Sequence, residues 1–293
     1  MSLIEKPNKH LIPSVNYHFW QPCNMRCKFC FATYHDVKKQ LLPKGHLPKE
    51  KSLELIGLLA DYGFKKITFV GGEPTLCHWL DELILYAKEK GFTTMIVTNG
   101  STISEKKLMQ WQGILDWITL SIDSLNDKTN KLIGRKENNN TFQDVNRYRL
   151  LIEQIKFFNF RLKVNTVVNK YNYKEIVSPF IKEIEPERWK IFKALRIEGQ
   201  NDKYFSDVSI TNEEFTHFLH INHTDVISQA VVEYNEDMRG SYVMIDPAGR
   251  FFDNTKGKHT YSSSILESNV EFALSQVSTN YTKFIERGGV YKW

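Results

Sequence analysis

Residues 22–31 read PCNMRCKFCF and place thiols at Cys23, Cys27 and Cys30. Just upstream, NYHFW at 16–20 has the aromatic-rich pattern of a strand. The three thiols therefore share one loop at the end of a strand. Cysteines this close cannot staple distant parts of a fold, which argues against a disulfide framework. Clustered thiols point instead to metal and to a reducing compartment.

Outward from this loop, apolar and β-branched runs recur at KITFVGG (66–72), TTMIVTNG (93–100), WITLSID (117–123), LKVNTVV (162–168) and RWKIFKALRI (188–197). Between them, Leu53, Ile56, Leu59, Ala60 and then Leu80, Leu83, Ile84, Ala87 keep the three-and-four spacing of amphipathic helices. Strand and helix alternating in this way predict a parallel sheet with covering helices. Periodicity does not separate a partial barrel from an open doubly wound sheet, but the motif in the cysteine loop favours the barrel. The reading is an α/β fold: a partial (β/α)6 barrel over residues 1–200 and a C-terminal extension over 201–293. In the extension, a capping box from Thr211 to Glu214 opens a helix. SYVMIDPAGRFFDN predicts a hairpin turning at Asp246–Gly249. The closing FIERGGVYKW is expected to fold back over the site.

The chain of 293 residues is long enough to bury a substantial core. Its opening MSLIEKPNKH carries charges and a proline rather than an apolar leader, and no later stretch approaches the roughly 18 uninterrupted apolar residues of a membrane span. A soluble, cytoplasmic protein is expected. The net charge of +5 is a mild excess over this length, so no direct binding to nucleic acid is expected.

Three thiolates in one loop can take three corners of a cuboidal 4Fe-4S cluster and leave the fourth iron without a protein ligand. An open iron can chelate the amino and carboxylate groups of S-adenosylmethionine and pass one electron to its sulfonium, releasing a 5′-deoxyadenosyl radical. Zinc is the competing occupant; it takes four ligands and would have to recruit Cys77, His18 or His35. Its usual two-plus-two spacing differs from CxxxCxxC. His217, His220 and His223 sweep most of a helix circumference and complete no metal site, and Cys77 reads as a small buried hydrophobe.

Other polar residues collect at strand ends and on strand faces. Gly71, Gly72, Glu73 and Pro74 follow the second strand, where glycine lets backbone approach a ligand closely. Ser121 and Asp123 lie two apart and share one face of the fourth strand; Asp123 also suits satisfying loop backbone. Lys163 and Asn165 share a face of the fifth strand, as do Arg188 and Lys190 on the sixth. Outward, each cation would snorkel to water. Inward, an uncompensated buried charge costs several kcal/mol, and the three cations would need an anion such as a triphosphate. Three on adjacent strands favour the inward reading.

CxxxCxxC followed by an aromatic residue resembles the radical S-adenosylmethionine superfamily. An ordered series resembles the viperin family within it, in its prokaryotic form, over nearly the whole chain: NYHF, CNMRCKFCF, KITFVGGEP, TNGS, IDS with LIGR, NTVVNKYN, RWKIF, IEGQN, TNEEF, SYVMID, SSSIL and RGGVYKW. The resemblance implies abstraction of the C4′ hydrogen of a nucleoside triphosphate and loss of its 3′-hydroxyl. The product would be a 3′-deoxy-3′,4′-didehydro nucleotide that terminates viral RNA chains, with CTP favoured before UTP. It implies a 4Fe-4S cluster on Cys23, Cys27 and Cys30. Contacts to S-adenosylmethionine fall on Phe29, Phe31, Gly71, Gly72, Glu73, Pro74, Asn99, Ser121 and Arg135. Substrate contacts fall on Asn16, Lys66, Lys163, Asn165, Arg188 and Lys190, and Tyr242 matches a tyrosine that gives up a proton or hydrogen.

Two departures stand out. Ala32 replaces a histidine of the animal members, and His259 replaces a lysine, for which Lys258 is taken as the substitute phosphate contact. The animal members' amphipathic N-terminal helix has no counterpart here, so no membrane attachment is expected. An external one-electron reductant of flavodoxin or ferredoxin type is implied, and the protein is expected to be a monomer. A peptide-modifying maturase would carry further cysteines toward the C-terminus, and none follows Cys77.

Overall fold

A computed structural model describes residues 11–137 and 144–293. The opening MSLIEKPNKH lies outside the described residues. The first half of the chain runs β1 (Ser14–Trp20), α1 (Lys49–Tyr62), β2 (Lys66–Gly71), α2 (Leu80–Glu89), β3 (Thr93–Thr98), α3 (Glu105–Trp111), β4 (Trp117–Ser121), α4 (Asp127–Leu132) and α5 (Val145–Phe157). It continues through β5 (Arg161–Val168), α6 (Ser178–Ile184), β6 (Arg188–Lys193), α7 (Asp202–Val208), α8 (Asn212–Ile221), β7 (Ala230–Glu233) and α9 (Asn235–Met238). The last part holds β8 (Val243–Ile245), β9 (Arg250–Asp253), β10 (Thr260–Ser264), α10 (Val270–Ser275) and α11 (Tyr281–Glu286).

The six strands expected from the sequence all form, and β1 to β6 lie side by side in chain order as a parallel curved sheet. The C-terminal region adds a strand to each edge: β7 pairs with β6, and β8 pairs parallel with β1 before turning into β9 and β10. The expected hairpin turn is held by Asp246, whose carboxylate accepts the Ala248 and Arg250 N–H groups at 3.0 and 2.9 Å. The expected capping box closes at Thr211 and Glu214. The longest overshoot is at RWKIFKALRI, which stops being a strand at Lys193, where its partner β5 ends at Val168 and no ladder remains to continue.

Side chains alternate across every strand. On β2, Ile67 and Phe69 join the main core under the helices, while Lys66, Thr68 and Val70 face a central cavity. β1 repeats this with Val15, Tyr17 and Phe19 outward and Ser14, Asn16 and His18 inward. The sheet is therefore buried on both faces, as parallel sheets require, but only its outer face is apolar.

The loops at the strand ends pack by backbone contact. Gly72 N–H donates to the Trp20 carbonyl at 2.6 Å, and a Cβ at Gly72 would stand 2.3 Å from the carbonyl oxygens of Gln21 and Pro22. Gly134 has φ +80°, and a Cβ there would stand 2.1 Å from the Arg26 carbonyl oxygen. Around it the cysteine loop is strapped down by Arg26 N–H to Gly134 O at 3.1 Å and Lys28 N–H to Ile133 O at 2.9 Å. Gly134→Ala is expected to lower unfolding stability by about 1–3 kcal/mol, the range for overpacking against atoms that cannot move aside; urea denaturation measures it, and an unchanged midpoint would contradict the close packing.

Candidate active site

A cavity of about 330 Å³ runs through the barrel. At the carboxyl ends of the strands it is lined by Cys23, Cys27 and Cys30, with Phe29, Phe31, Gly71, Gly72, Glu73, Asn99, Ser121 and Arg135. At the opposite end it is lined by Lys66, Lys163, Arg188, Lys190 and Arg287. Asn16, Asn165 and Tyr242 stand along the wall.

The thiol end is rigidly built. Glu73 is buried, and its carboxylate accepts from Thr75 Oγ1 at 2.5 Å, Thr98 Oγ1 at 2.6 Å and the Asn99 N–H at 2.8 Å. It thereby ties the end of β2 to the end of β3. Burial pushes its carboxyl up in spite of these bonds. Asn99 continues the tie by donating to Asn24 Oδ1 at 2.9 Å, inside the cysteine loop. Asp123 accepts from Arg135 and from the Val167 N–H, the latter at 2.7 Å, so a fully buried ion pair sits beside the thiols. Burial pushes the thiols up, Cys23 to about 11 and Cys27 to about 12, which makes them neutral until a metal takes their protons.

The donor set fits a cluster better than a single ion. Among the described residues, no three His, Cys, Asp or Glu side chains converge on one metal position. Three thiols lining one cavity wall without converging suit a cuboid that takes each thiolate at a different iron. Cys77, the competing fourth ligand for zinc, lies in the main core under the helices.

The cationic end follows from strand register. β5 and β6 pair Lys163 with Arg188 and Asn165 with Lys190, so their four inward side chains form a block. Lys66 projects from the start of β2. The C-terminal tail reaches this block: Lys66 donates to the Tyr291 hydroxyl, Arg188 donates to the Gly288 carbonyl at 2.8 Å, and the Arg188 guanidinium lies 4.1 Å from the Tyr291 ring centre. Burial, then Lys190, Lys66 and Arg188, pull Lys163 well below the ordinary lysine value. Lys66 is likewise pulled well below by burial and by Lys190, Arg188 and Arg287. Lys190 falls to about 7 through burial, although Glu233 beside it pulls the other way. Two polar atoms here are buried without a partner, Asn165 Oδ1 and Arg188 Nε. This end is built to receive an anion bearing several oxygens.

The family model of the radical S-adenosylmethionine superfamily matches residues 17–176. The chain belongs to that superfamily. A relative from Flammeovirga pacifica named S-adenosylmethionine-dependent nucleotide dehydratase is 52% identical over 284 residues, covering 97% of this chain and 97% of its own. A second of the same name, from Lacinutrix mariniflava, is 51% identical and matches 96% of this chain but 59% of its own length. Within the superfamily the chain thus belongs to the viperin-like S-adenosylmethionine-dependent nucleotide dehydratases. The fold agrees: the solved structure of native anSMEcpe with bound AdoMet superposes with a TM-score of 0.66 at 16% identity, over 92% of this chain and 81% of that one. As a radical S-adenosylmethionine enzyme, the protein works with S-adenosylmethionine and a 4Fe-4S cluster, for which Cys23, Cys27 and Cys30 are the thiols in place.

Most residues singled out from the sequence come together around the cavity. Pro74 and Lys258 do not line it. Pro74 is buried and opens a short 3-10 turn behind Glu73. Lys258 is exposed, next to Glu198 at an isolated β-bridge in the turn after β9. His259 is no substitute, since its ring packs among Tyr34, Phe252 and Tyr261. Sequence reasoning assigned nothing to Glu233, Arg287 or Tyr291. Arg287 and Tyr291 lie within the tail stretch whose resemblance was noted, and Glu233 ends the apolar run AVVE, where a charge is out of place.

The cationic end is under tension when empty, and this yields an expectation opposite to that for a structural residue. Lys163→Met is expected to leave the empty protein as stable or about 1–4 kcal/mol more stable, since an apolar side chain replaces an amine that burial and its cationic neighbours disfavour. Thermal unfolding of the purified protein checks this, and a large loss of stability would show that Lys163 is a structural support.

Proposed function

We propose that this protein dehydrates a ribonucleoside triphosphate, CTP before UTP, to its 3′-deoxy-3′,4′-didehydro analogue. The observation that carries the reading is the set of four cations, Lys66, Lys163, Arg188 and Lys190, lining the floor of a cavity whose other end is lined by three thiols. Lys66 opens β2 and Gly71 closes it five residues later; a rise of about 3.3 Å per residue separates them by about 17 Å. A triphosphate on the floor sets its ribose part-way up, beside Asn16 and Asn165 and below the thiols. The relatives' name supports a nucleotide as substrate. The preference for CTP rests on resemblance to the animal viperins.

In this reading Cys23, Cys27 and Cys30 hold the cluster. Phe29, Phe31, Gly71, Gly72, Glu73, Pro74, Asn99, Ser121 and Arg135 form the S-adenosylmethionine site, with Glu73 and Arg135 acting through the loops they brace. The cluster and S-adenosylmethionine together supply the 5′-deoxyadenosyl radical that removes the C4′ hydrogen. Loss of the 3′-hydroxyl as water takes one proton, and one further electron leaves a closed-shell product. We take Tyr242, which lines the cavity and accepts from Lys190 at 2.7 Å, as the residue that serves that proton step. An external reductant of flavodoxin or ferredoxin type supplies the electrons. The product lacks a 3′-hydroxyl, so an RNA chain that incorporates it cannot be extended, which suits an antiviral role. We read residues 1–200 as the barrel and 201–293 as the extension whose tail covers its floor. Among the described residues no helix is long and apolar enough to cross a membrane, and we place the protein in the cytoplasm as a monomer.

Anaerobically reconstituted enzyme given each of the four ribonucleoside triphosphates is expected to form 5′-deoxyadenosine most rapidly with CTP, alongside a nucleotide lighter by one water. Formation of 5′-deoxyadenosine that does not depend on any triphosphate would sink the reading. Binding is also linked to protons. Lys190, held near 7 in the empty site, and Lys66 and Lys163, held well below the ordinary lysine value, are charged when they meet phosphate, so the bound state carries more protons between their empty-site values and about 10.4. Triphosphate affinity is therefore expected to fall as pH rises from 7.5 to 9.5, with proton uptake seen by calorimetry in buffers of different ionisation enthalpy.

A further inference from the structure

Glu233 closes β7, is wholly buried, and does not line the cavity. It stands one layer behind three residues that do. Tyr242 donates its hydroxyl proton to Glu233 Oε2 at 2.5 Å, and Lys190 pairs with Glu233 Oε1 while donating to the Tyr242 oxygen at 2.7 Å. Arg287 approaches Oε1 at 3.6 Å, and its guanidinium lies 3.6 Å from the Tyr242 ring centre. Serine 241 fixes that guanidinium by accepting from it at 2.9 Å through its carbonyl.

A tyrosine hydroxyl has one proton, and here it is spent on Glu233, which leaves the oxygen's lone pairs for Lys190. The charged groups facing Lys190 are Glu233 from β7, Arg188 from its own strand, Lys66 and Lys163 from β2 and β5, and Arg287 from the tail, with Tyr242 neutral between them. Glu233 is the acidic group whose charge acts on Lys163, Arg188 and Lys190 alike. A buried carboxylate adds little net stability, so its place behind Lys190 and Tyr242 asks for another reason.

We propose that Glu233 is a positioning residue for the substrate end of the cavity: its carboxylate fixes the direction of the Tyr242 hydroxyl and keeps Lys190 charged for the nucleotide's phosphates. This rests on the reading of the cavity as a nucleoside triphosphate site. The carboxylate itself touches no substrate.

The test compares wild type with Glu233→Gln and Glu233→Asp, each reconstituted with iron and sulfide. CTP binding is followed by calorimetry from pH 6.5 to 9.5, and turnover by 5′-deoxyadenosine and product. In Glu233→Gln, with the buried charge gone, the pH at which CTP affinity is half lost should move down by about one unit, with at least a tenfold weaker Kd at pH 8.5 that recovers toward pH 6.5. Turnover at saturating CTP should also fall, because the Tyr242 hydroxyl is no longer held. Glu233→Asp keeps the charge but shortens the reach, so its pH midpoint should stay at the wild-type value while turnover falls. A purely structural role would lower the melting temperature of both variants and leave both midpoints in place. The proposal is overturned by a folded Glu233→Gln enzyme with the wild-type midpoint and turnover, or, should that variant not fold, by a Glu233→Asp enzyme whose midpoint moves down. Wild-type protein that binds no triphosphate at any pH would overturn the reading of the cavity itself.

Discussion

Parallel strands in register show every second side chain to the same side, and the chemistry of this protein hangs on that alternation. Lys66, Lys163, Arg188 and Lys190 sit within the first three residues of their strands, whereas the cysteine loop and the glycine pair lie at or after strand ends. Because β1 to β8 all run the same way, their starts gather at one end of the barrel and their ends at the other. A radical source and a polyanion site are thus held apart by the length of a strand without any dedicated spacer. A single slip of register would turn the cations into the apolar layer under the helices.

The two ends differ in how they meet the cost of burial. At the thiol end, the buried acids are paired: Glu73 has three partners, and Asp123 has Arg135 and a backbone amide. At the floor, several cations share Glu233, and two polar atoms have no partner. The first arrangement suits loops that must not move around an oxygen-sensitive cluster. The second leaves interactions for an arriving ligand to complete, so that binding energy is drawn from relief of repulsion as well as from new contacts.

Much of this could be read before any coordinates. Six strands were legible because each is a compact β-branched run bounded by helical spacing, and the inward cations followed from residues two apart on runs such as LKVNTVV and RWKIF. The cysteine loop was legible because its chemistry is local. Glu233 was not, since its partners come from β6, from Tyr242 just before β8 and from the tail, and nothing in AVVEY announces them. Arg135 was assigned to the cofactor alone, whereas its Nε is bonded to Asp123, a pairing across a turn that strand arithmetic does not reach.

The residues that complete the floor come late in the chain. Lys190 waits for Glu233 and Tyr242, and Lys66 and Arg188 meet Tyr291 and Gly288, all encoded well after the cysteine loop at 23–30. Synthesis proceeds from the N-terminus, so the emerging chain owns its thiol loop long before it can recognise a phosphate. The floor of the cavity is therefore complete only once the last residues of the chain are in place.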